Sequence, residues 1–435
     1  MTERDTKMLV PKLRFPEFQD AEGWSSKRIG EVTQVTAGAT PSTENPEYWN
    51  GDIPWMNSGE LNQKRVYGVS NRITLLGLKE SSTKLVPPGS VLIGLAGQGK
   101  TRGTAAINYM ELCTNQSIAS IIPNKQKFVS EFLFHKIDSM YNNLRSLSKG
   151  EGGRGGLNLE IIKSVEIPFP ILQEQQKIAD CLSSIDELIT AQTKKIVALK
   201  DHKKGLMEQL FPLGGETVPK LRFSEFHGAG EWVDRSLEQL ATYTKGYAFK
   251  SEDYMAEGVR IIRVSDLGAD HIKSNNEKIY IASESVSDYG RYKLNKGEII
   301  VTTVGSKPEL VDSAVGRGIF ISFSNEGLLN QNLLKLKVRN EVNSRFLFSN
   351  INTSKYQKFI ASISRGNANQ ANIAVKDLMG FKLQIPTLDE QNKIADCLSS
   401  IDELITTGTQ KLEALKAHKK GLIQLLFPNS DGVKQ

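Results

Sequence analysis

Cysteine is scarce: Cys113, Cys181 and Cys397 are the only three in 435 residues. Thiols so placed give no CxxC pair and no disulfide framework, which excludes zinc-ribbon sites and small disulfide-stapled domains. Histidine is nearly as rare. His135, His202, His227, His271 and His418 form no HExxH and no paired metal-ligand spacing, so metal-dependent hydrolysis lacks a ligand set. No glutamate is followed two residues later by lysine, which leaves nucleases of the Asp…Glu-x-Lys kind without their motif. The Asn/Asp-Pro-Pro-aromatic signature of adenine methyltransferases is missing too, Asn45-Pro46-Glu47-Tyr48 being a partial echo. No apolar run approaches the roughly 20 residues of a membrane helix, and Met1 to Pro11 holds no signal-peptide core. The sequence therefore reads as a cytoplasmic chain with no catalytic residues, no metal, no cofactor and no membrane partner. A hydrophobic content of 39% with 24% charged residues is ordinary for a globular protein. A net charge of +6 is compatible with nucleic acid without requiring it.

What the chain does have is a repeat. Pro170 to Thr190 returns as Pro386 to Thr406 with changes at only three positions, and Lys-Lys-Gly-Leu and Leu-Phe-Pro follow in both copies, ending at Pro212 and Pro428. The repeat extends upstream. Pro11-Lys12-Leu13-Arg14-Phe15 recurs as Pro219-Lys220-Leu221-Arg222-Phe223, and Trp24, Gly38, Gly89 and Gly97 recur as Trp232, Gly246, Gly297 and Gly305. The unit is a globular domain followed by a long helix, present twice. The expected boundaries are a first globular domain at 1–169, a helix at 170–212, a second globular domain at 213–385, a helix at 386–428 and a tail at 429–435.

Both helical stretches carry a heptad seam. Ile178, Leu182, Ile185, Ile189, Ile196 and Leu199 recur at alternating spacings of four and three around Gln192, as do Ile394, Leu398, Ile401, Ile405, Leu412 and Leu415 around Gly408. Lys203 and Lys419 interrupt the seams further on. With Gln192 and Gly408 they read as register devices, and with Lys204 and Lys420 they also read as helix-end charges complementing the macrodipole. Thr387 and Glu390 suggest a capping box. At about 1.5 Å per residue each helix is roughly 58 Å long, too long to lie inside one small domain.

The globular parts alternate short β-like runs (Ser90–Leu95, Ser117–Ile122, Val259–Val264, Glu298–Val304, Leu333–Val338) with helical stretches at Phe128–Leu147 and Val342–Ile363, so each is mixed α and β. Glycine-rich segments follow the helical stretches at the same place in each copy. They offer Lys149 and Arg154 in the first copy, and Arg365, Asn367, Asn369 and Gln370 in the second. Glycine lets backbone approach a duplex, and such side chains reach phosphates and base edges; the other reading of both segments is a flexible linker serving the helix start. Gln98, Lys100 and Arg102 on another glycine-rich loop, with Arg263 and Lys307, complete the DNA-contact candidates. Gly94 to Thr101 also satisfies GxxxxGK[ST]. Arg102-Gly103-Thr104 is poor material for the helix a nucleotide site would need, and Thr302 to Pro308 lacks the pattern, so a DNA-facing turn or a plain exposed turn is favoured over ATP binding.

One combination of residues carries a family resemblance. Each half has Trp, Gly, a Lys/Asn-x-Gly strand, then Asn115-Gln116 or Asn330-Gln331, and finally Pro-x-x-x-Glu-Gln-x-x-Ile-Ala opening the helix. The run Gly258 to Leu267 adds to it. The pattern covers essentially the whole chain and resembles the specificity subunit of type I restriction-modification enzymes. The resemblance implies two α+β target-recognition domains, each reading half of a split site in double-stranded DNA. Their helices would pair as an antiparallel coiled coil with pseudo-two-fold symmetry. Two methyltransferase (modification) subunits and motor-nuclease (restriction) subunits would supply adenine methylation and cleavage. Ile53-Pro54-Trp55 stands where the second half has Ile261-Ile262-Arg263, so contact residues do not transfer between halves. The alternative is a coiled-coil scaffold with two protein-binding domains and no DNA role; an ATPase comes third.

Overall fold

The computed structural model describes residues 8–97, 99–148, 156–268, 271–274, 276–306, 315–367 and 370–428. Its compact units do not follow chain order. The first runs to Thr193 and takes in the residues from Gln410 onward; the second is Lys194–Thr409. The long helices, Leu172–Leu210 and Leu388–Leu426, each change unit near their middle.

In the first unit a sheet orders Thr33–Ala37, Ile118–Pro123, Val91–Gly94, Ala105–Asn108 and Arg65–Val66, antiparallel but for the last pair. Period-two alternation sends its side chains to two cores. Val91, Ile93 and Ile107 pack under Phe132, Leu133 and Ile137 of helix Ser130–Ser139, whereas Leu92 and Ala106 meet Met56, Leu61 and Leu112. A smaller sheet orders Asn71–Ile73, Trp49–Met56 and Cys113–Thr114, with Trp49–Met56 in the centre. The second unit repeats this plan. Ala241–Lys245, Leu333–Val338, Ile299–Thr302 and Gly318–Phe320 form its main sheet, and Ile279–Ile281, Val259–Ile262 and Leu328–Leu329 the smaller one.

Where one helix was expected over Phe128–Leu147, the structure has two, Ser130–Ser139 and Tyr141–Leu147, broken at Met140 (φ −89°, ψ 11°). Val342–Ile363 likewise divides into Ser344–Asn350 and Ser354–Ile363, because the Thr353 hydroxyl accepts from the Tyr356 N–H and caps a new helix. The second long helix has half of its expected capping box. Thr387 Oγ1 accepts from Glu390 N at 3.4 Å, but the Glu390 carboxylate turns away to Arg222 and Trp232.

That turn explains how each domain is fastened to a helix. In the first unit Arg14 makes a two-pronged bond to Glu174 (2.9 and 2.7 Å), and the Trp24 indole donates to the same carboxylate. Leu13 N donates to Leu425 O, so one short strap grips the start of one helix and the end of the other. The second unit matches it with Arg222, Glu390, Trp232 and the bond from Leu221 N to Gln209 O. Each glutamate is 1% exposed and would be costly to bury without its arginine. Two-stranded ribbons, Ser25–Arg28 with Glu166–Phe169 and Val233–Ser236 with Lys382–Ile385, lead into the helices.

Inside each unit the helical segments run antiparallel. Ile178, Ala179 and Leu182 share a core with Leu426 and Phe427; Ile394, Ala395 and Leu398 share one with Leu210 and Phe211. No described helix is long and apolar enough to cross a membrane.

Candidate nucleic-acid interface

The glycine-rich stretch Gly94–Thr101 is the tip of a hairpin. Gly94 N donates to Thr104 O, Gly103 N returns a bond to Gly94 O, and Thr104 Oγ1 donates to Lys100 O. Gly97, Gly99 and Gly103 sit at φ of 124°, 80° and 80°, values that favour glycine. The chain then enters strand Ala105–Asn108. A phosphate-binding P-loop needs a helix at that point to aim its N–H groups, so the pattern match carries no nucleotide site.

The tip is held from beneath by residues that the sequence reading did not single out. Arg145 donates to the carbonyls of Gly99 and Arg102 and stacks over Tyr141, whose hydroxyl donates to Lys100 O. Lys100 is thereby left exposed on a braced loop. Arg102 is half-buried and donates to Ser148 Oγ at 3.3 Å. On the other side Leu157 N donates to Leu95 O. The residues flanking the glycine-rich segment therefore both sit against the hairpin. Gln98, Lys149 and Arg154 fall outside the described residues.

The second unit makes the same junction with strands. Val304–Gly305, continuing the hairpin, pairs with Ala371–Asn372, which pairs with Arg365–Gly366. Ile373 N donates to Thr303 O, the counterpart of the bond between Leu157 and Leu95. Gly366 is required at its turn: at φ 109° a Cβ would lie 2.3 Å from Gln370 O. Arg365, Asn367 and Gln370 are exposed there, Arg365 with one nitrogen on Asp377 and Asn367 accepting from Gln370 N. Lys307 and Asn369 are outside the described residues. Arg263 stands elsewhere. Its guanidinium is held by the buried Asp266 carboxylate, at 3.1 and 3.2 Å, and by Glu277 O, bonds that keep it charged and fix a loop.

All twelve seam residues are buried or half-buried. Lys203 and Lys419 are cross-helix partners and not solvated end charges: Lys203 reaches Asp402 at 2.6 Å and Lys419 reaches Asp186 at 2.5 Å. The two bonds are equivalent under the repeat. In the first unit Asp186 also binds Arg65, which continues to Glu131 beside His135. Burial works against the Asp186 charge, but Lys419 and Arg65 outweigh it and its pKa falls. Burial, then Lys419, holds His135 down at about 3, so its ring stays neutral.

The comparisons with known proteins agree with this architecture. The type I restriction modification DNA specificity domain matches twice, over residues 21–201 and 229–417. The type I restriction enzyme MjaVIII specificity subunit of Methanocaldococcus jannaschii is 24% identical over 95% of this chain and 94% of its own length. The MjaIX specificity subunit of the same organism is 39% identical over 40% of each chain. Among solved structures, the S subunit of a type I restriction-modification system from M. genitalium superposes with a TM-score of 0.61 over 97% of this chain and all of that one, at 16% identity. With two matched domains spanning most of its length, the chain belongs to the type I restriction modification DNA specificity family.

Proposed function

We propose that this chain reads a bipartite target in double-stranded DNA, one half-site per unit, and directs modification and restriction subunits to it. The observation that carries the reading is the junction of hairpin and glycine-rich segment, built twice on one frame but with different exposed side chains. Lys100 stands on the first, and Arg365, Asn367 and Gln370 on the second. A frame repeated with changed contact residues is what two different half-sites require. The candidates outside the described residues, Gln98, Lys149, Arg154, Lys307 and Asn369, belong to the same loops in sequence.

A second feature supports two copies of one partner. Asp180, Ser184, Glu187, Leu188 and Thr190 are exposed, and the positions matching them in the second helix, Asp396, Ser400, Glu403, Leu404 and Thr406, are exposed and identical. Core packing does not constrain such positions, and Leu188 and Leu404 are both 54% exposed. The same outward face is thus offered by each helix, which suits two modification subunits.

Selection from a random duplex library tests the reading. The expected result is enrichment of two fixed half-sites across a constant gap, matched by methylated adenines in host DNA only when this chain is present. Equal retention of all duplexes would leave a scaffold without a DNA role.

A further inference from the structure

A cavity of about 270 Å³ opens in the second unit between the end of the first long helix and the turn joining Ser344–Asn350 to Ser354–Ile363. Met207, Phe211 and Leu213 give it an apolar floor, and Lys200, Lys204 and Lys355 stand around it. Lys203, also on the wall, is taken by Asp402. None of the other three lysines has a carboxylate in ion-pair contact among the described residues. Lys355 is half-buried, donates to Gln384 Oε1 at 2.6 Å, and has its pKa pulled down by burial. Asn350 is 7% exposed. Its amide nitrogen makes one long bond, 3.4 Å to Phe346 O, and its Oδ1 receives no hydrogen bond among the described residues.

The first unit closes the same place. Phe346 corresponds to Phe132, each packed on its tryptophan, which aligns Asn350 with Lys136. Lys136 is 4% exposed and lays its ammonium 5.2 Å over Phe427, the counterpart of Phe211. Tyr141 stands in place of Lys355. The cavity is therefore a departure of the second unit from the repeat and not a by-product of the shared frame.

Lysines without an ion-pair partner around an apolar floor, with Glu208 on the same wall and an amide oxygen that accepts from no described residue, describe a specific ligand. We propose that this cavity binds a nucleoside 5′-phosphate whose base carries an exocyclic amine. The base lies on Phe211 and Met207, the amine donates to Asn350 Oδ1, and Lys200, Lys204 and Lys355 hold the phosphate. The ligand is either a free mononucleotide or the phosphorylated end of a strand, which share this chemistry. The site is separate from the DNA-reading loops, and its failure would leave the proposed function standing.

Calorimetric titration of the full chain with 5′-AMP, UMP, inorganic phosphate and a 5′-phosphorylated single-stranded oligo-dA tests it. One molecule of AMP or of the oligonucleotide is expected to bind per chain, at least tenfold tighter than phosphate and roughly tenfold tighter than UMP. Saturation by AMP identifies the free nucleotide, and saturation by the oligonucleotide alone identifies a strand end. Asn350→Lys, which installs the plug of the first unit, should abolish binding, and Lys355→Gln should weaken it roughly tenfold while the thermal melt is unchanged. Absence of binding by both probes at millimolar concentration overturns the proposal, as does binding that survives Asn350→Lys. Equal affinity for phosphate and AMP, or for UMP and AMP, overturns the base assignment.

Discussion

His135 shows how one residue sets a pH dependence. Buried between Glu131, Ser183, Asp186 and Lys419, it keeps a neutral ring in the folded chain down to about pH 3. The unfolded chain takes up that proton below about pH 6.5. A depressed histidine pKa therefore removes stability as pH falls from about 6.5 toward 3, costing about 2 kcal/mol between pH 7 and pH 5. The lowered pKa of Asp186 acts only below the ordinary carboxylate range, outside that interval. Urea denaturation at the two pH values should show a smaller shift for His135→Ser, the residue the second unit carries as Ser349, than for the wild type. Equal shifts would show that His135 titrates normally. Lys100, exposed on its braced tip, should behave differently: Lys100→Ala is expected to weaken DNA binding a few-fold and to lower the salt slope by about one, in a filter-binding series against salt. Nucleotide affinity lost with Lys100 would restore the P-loop reading.

At the scale of the element, the helices are specified twice, by an apolar seam and by two lysine–aspartate bonds that only one register satisfies. Ile185 lies 7% exposed one residue from Asp186. Ile185→Asp places an unpaired charge in the seam, at a cost of roughly 3 kcal/mol or more. The expected outcome is a lowered melting temperature and loss of co-purification with the modification subunit. Unchanged melting with a normal complex would mean that Ile185 is not a packing residue. The seam was legible because heptad spacing projects onto one face whatever surrounds it. The breaks at Met140 and Asn350–Thr353 were not: the apolar pattern of Phe128–Leu147 and Val342–Ile363 continues across them, and only packing on the sheet decides where the chain turns.

For the whole molecule, the place where both helices change unit makes a spacing test possible. Four residues inserted between Thr193 and Lys194, together with four between Thr409 and Gln410, leave the contacts inside each unit untouched. Each helix lengthens by about 6 Å and just over one turn. On the proposed reading, methylome sequencing should recover the same two half-sites with a gap changed by about two base pairs, since steps are about 3.4 Å. Altered half-sites with an unchanged gap would show that the helices read sequence and do not set spacing.

The sequence by itself determined the duplication, the helices, the mixed α and β domains and the family, because repeated motifs and periodicity are local properties of the chain. It also located the glycine-rich segments, since glycine is demanded where backbone must turn as Gly366 does. Tertiary structure alone decided which helix end each domain receives. The ends of the two helices are nearly identical, and sequence leaves open whether Trp24 packs on Phe211 or on Phe427. Antiparallel pairing brings Phe427, 6.3 Å from Trp24, and gives Phe211 to Trp232. The same long-range geometry delivered Asp402 to Lys203 and Asp186 to Lys419, which decided between the register and the solvated readings of these lysines, because what such a charge does is set by the neighbour the fold delivers.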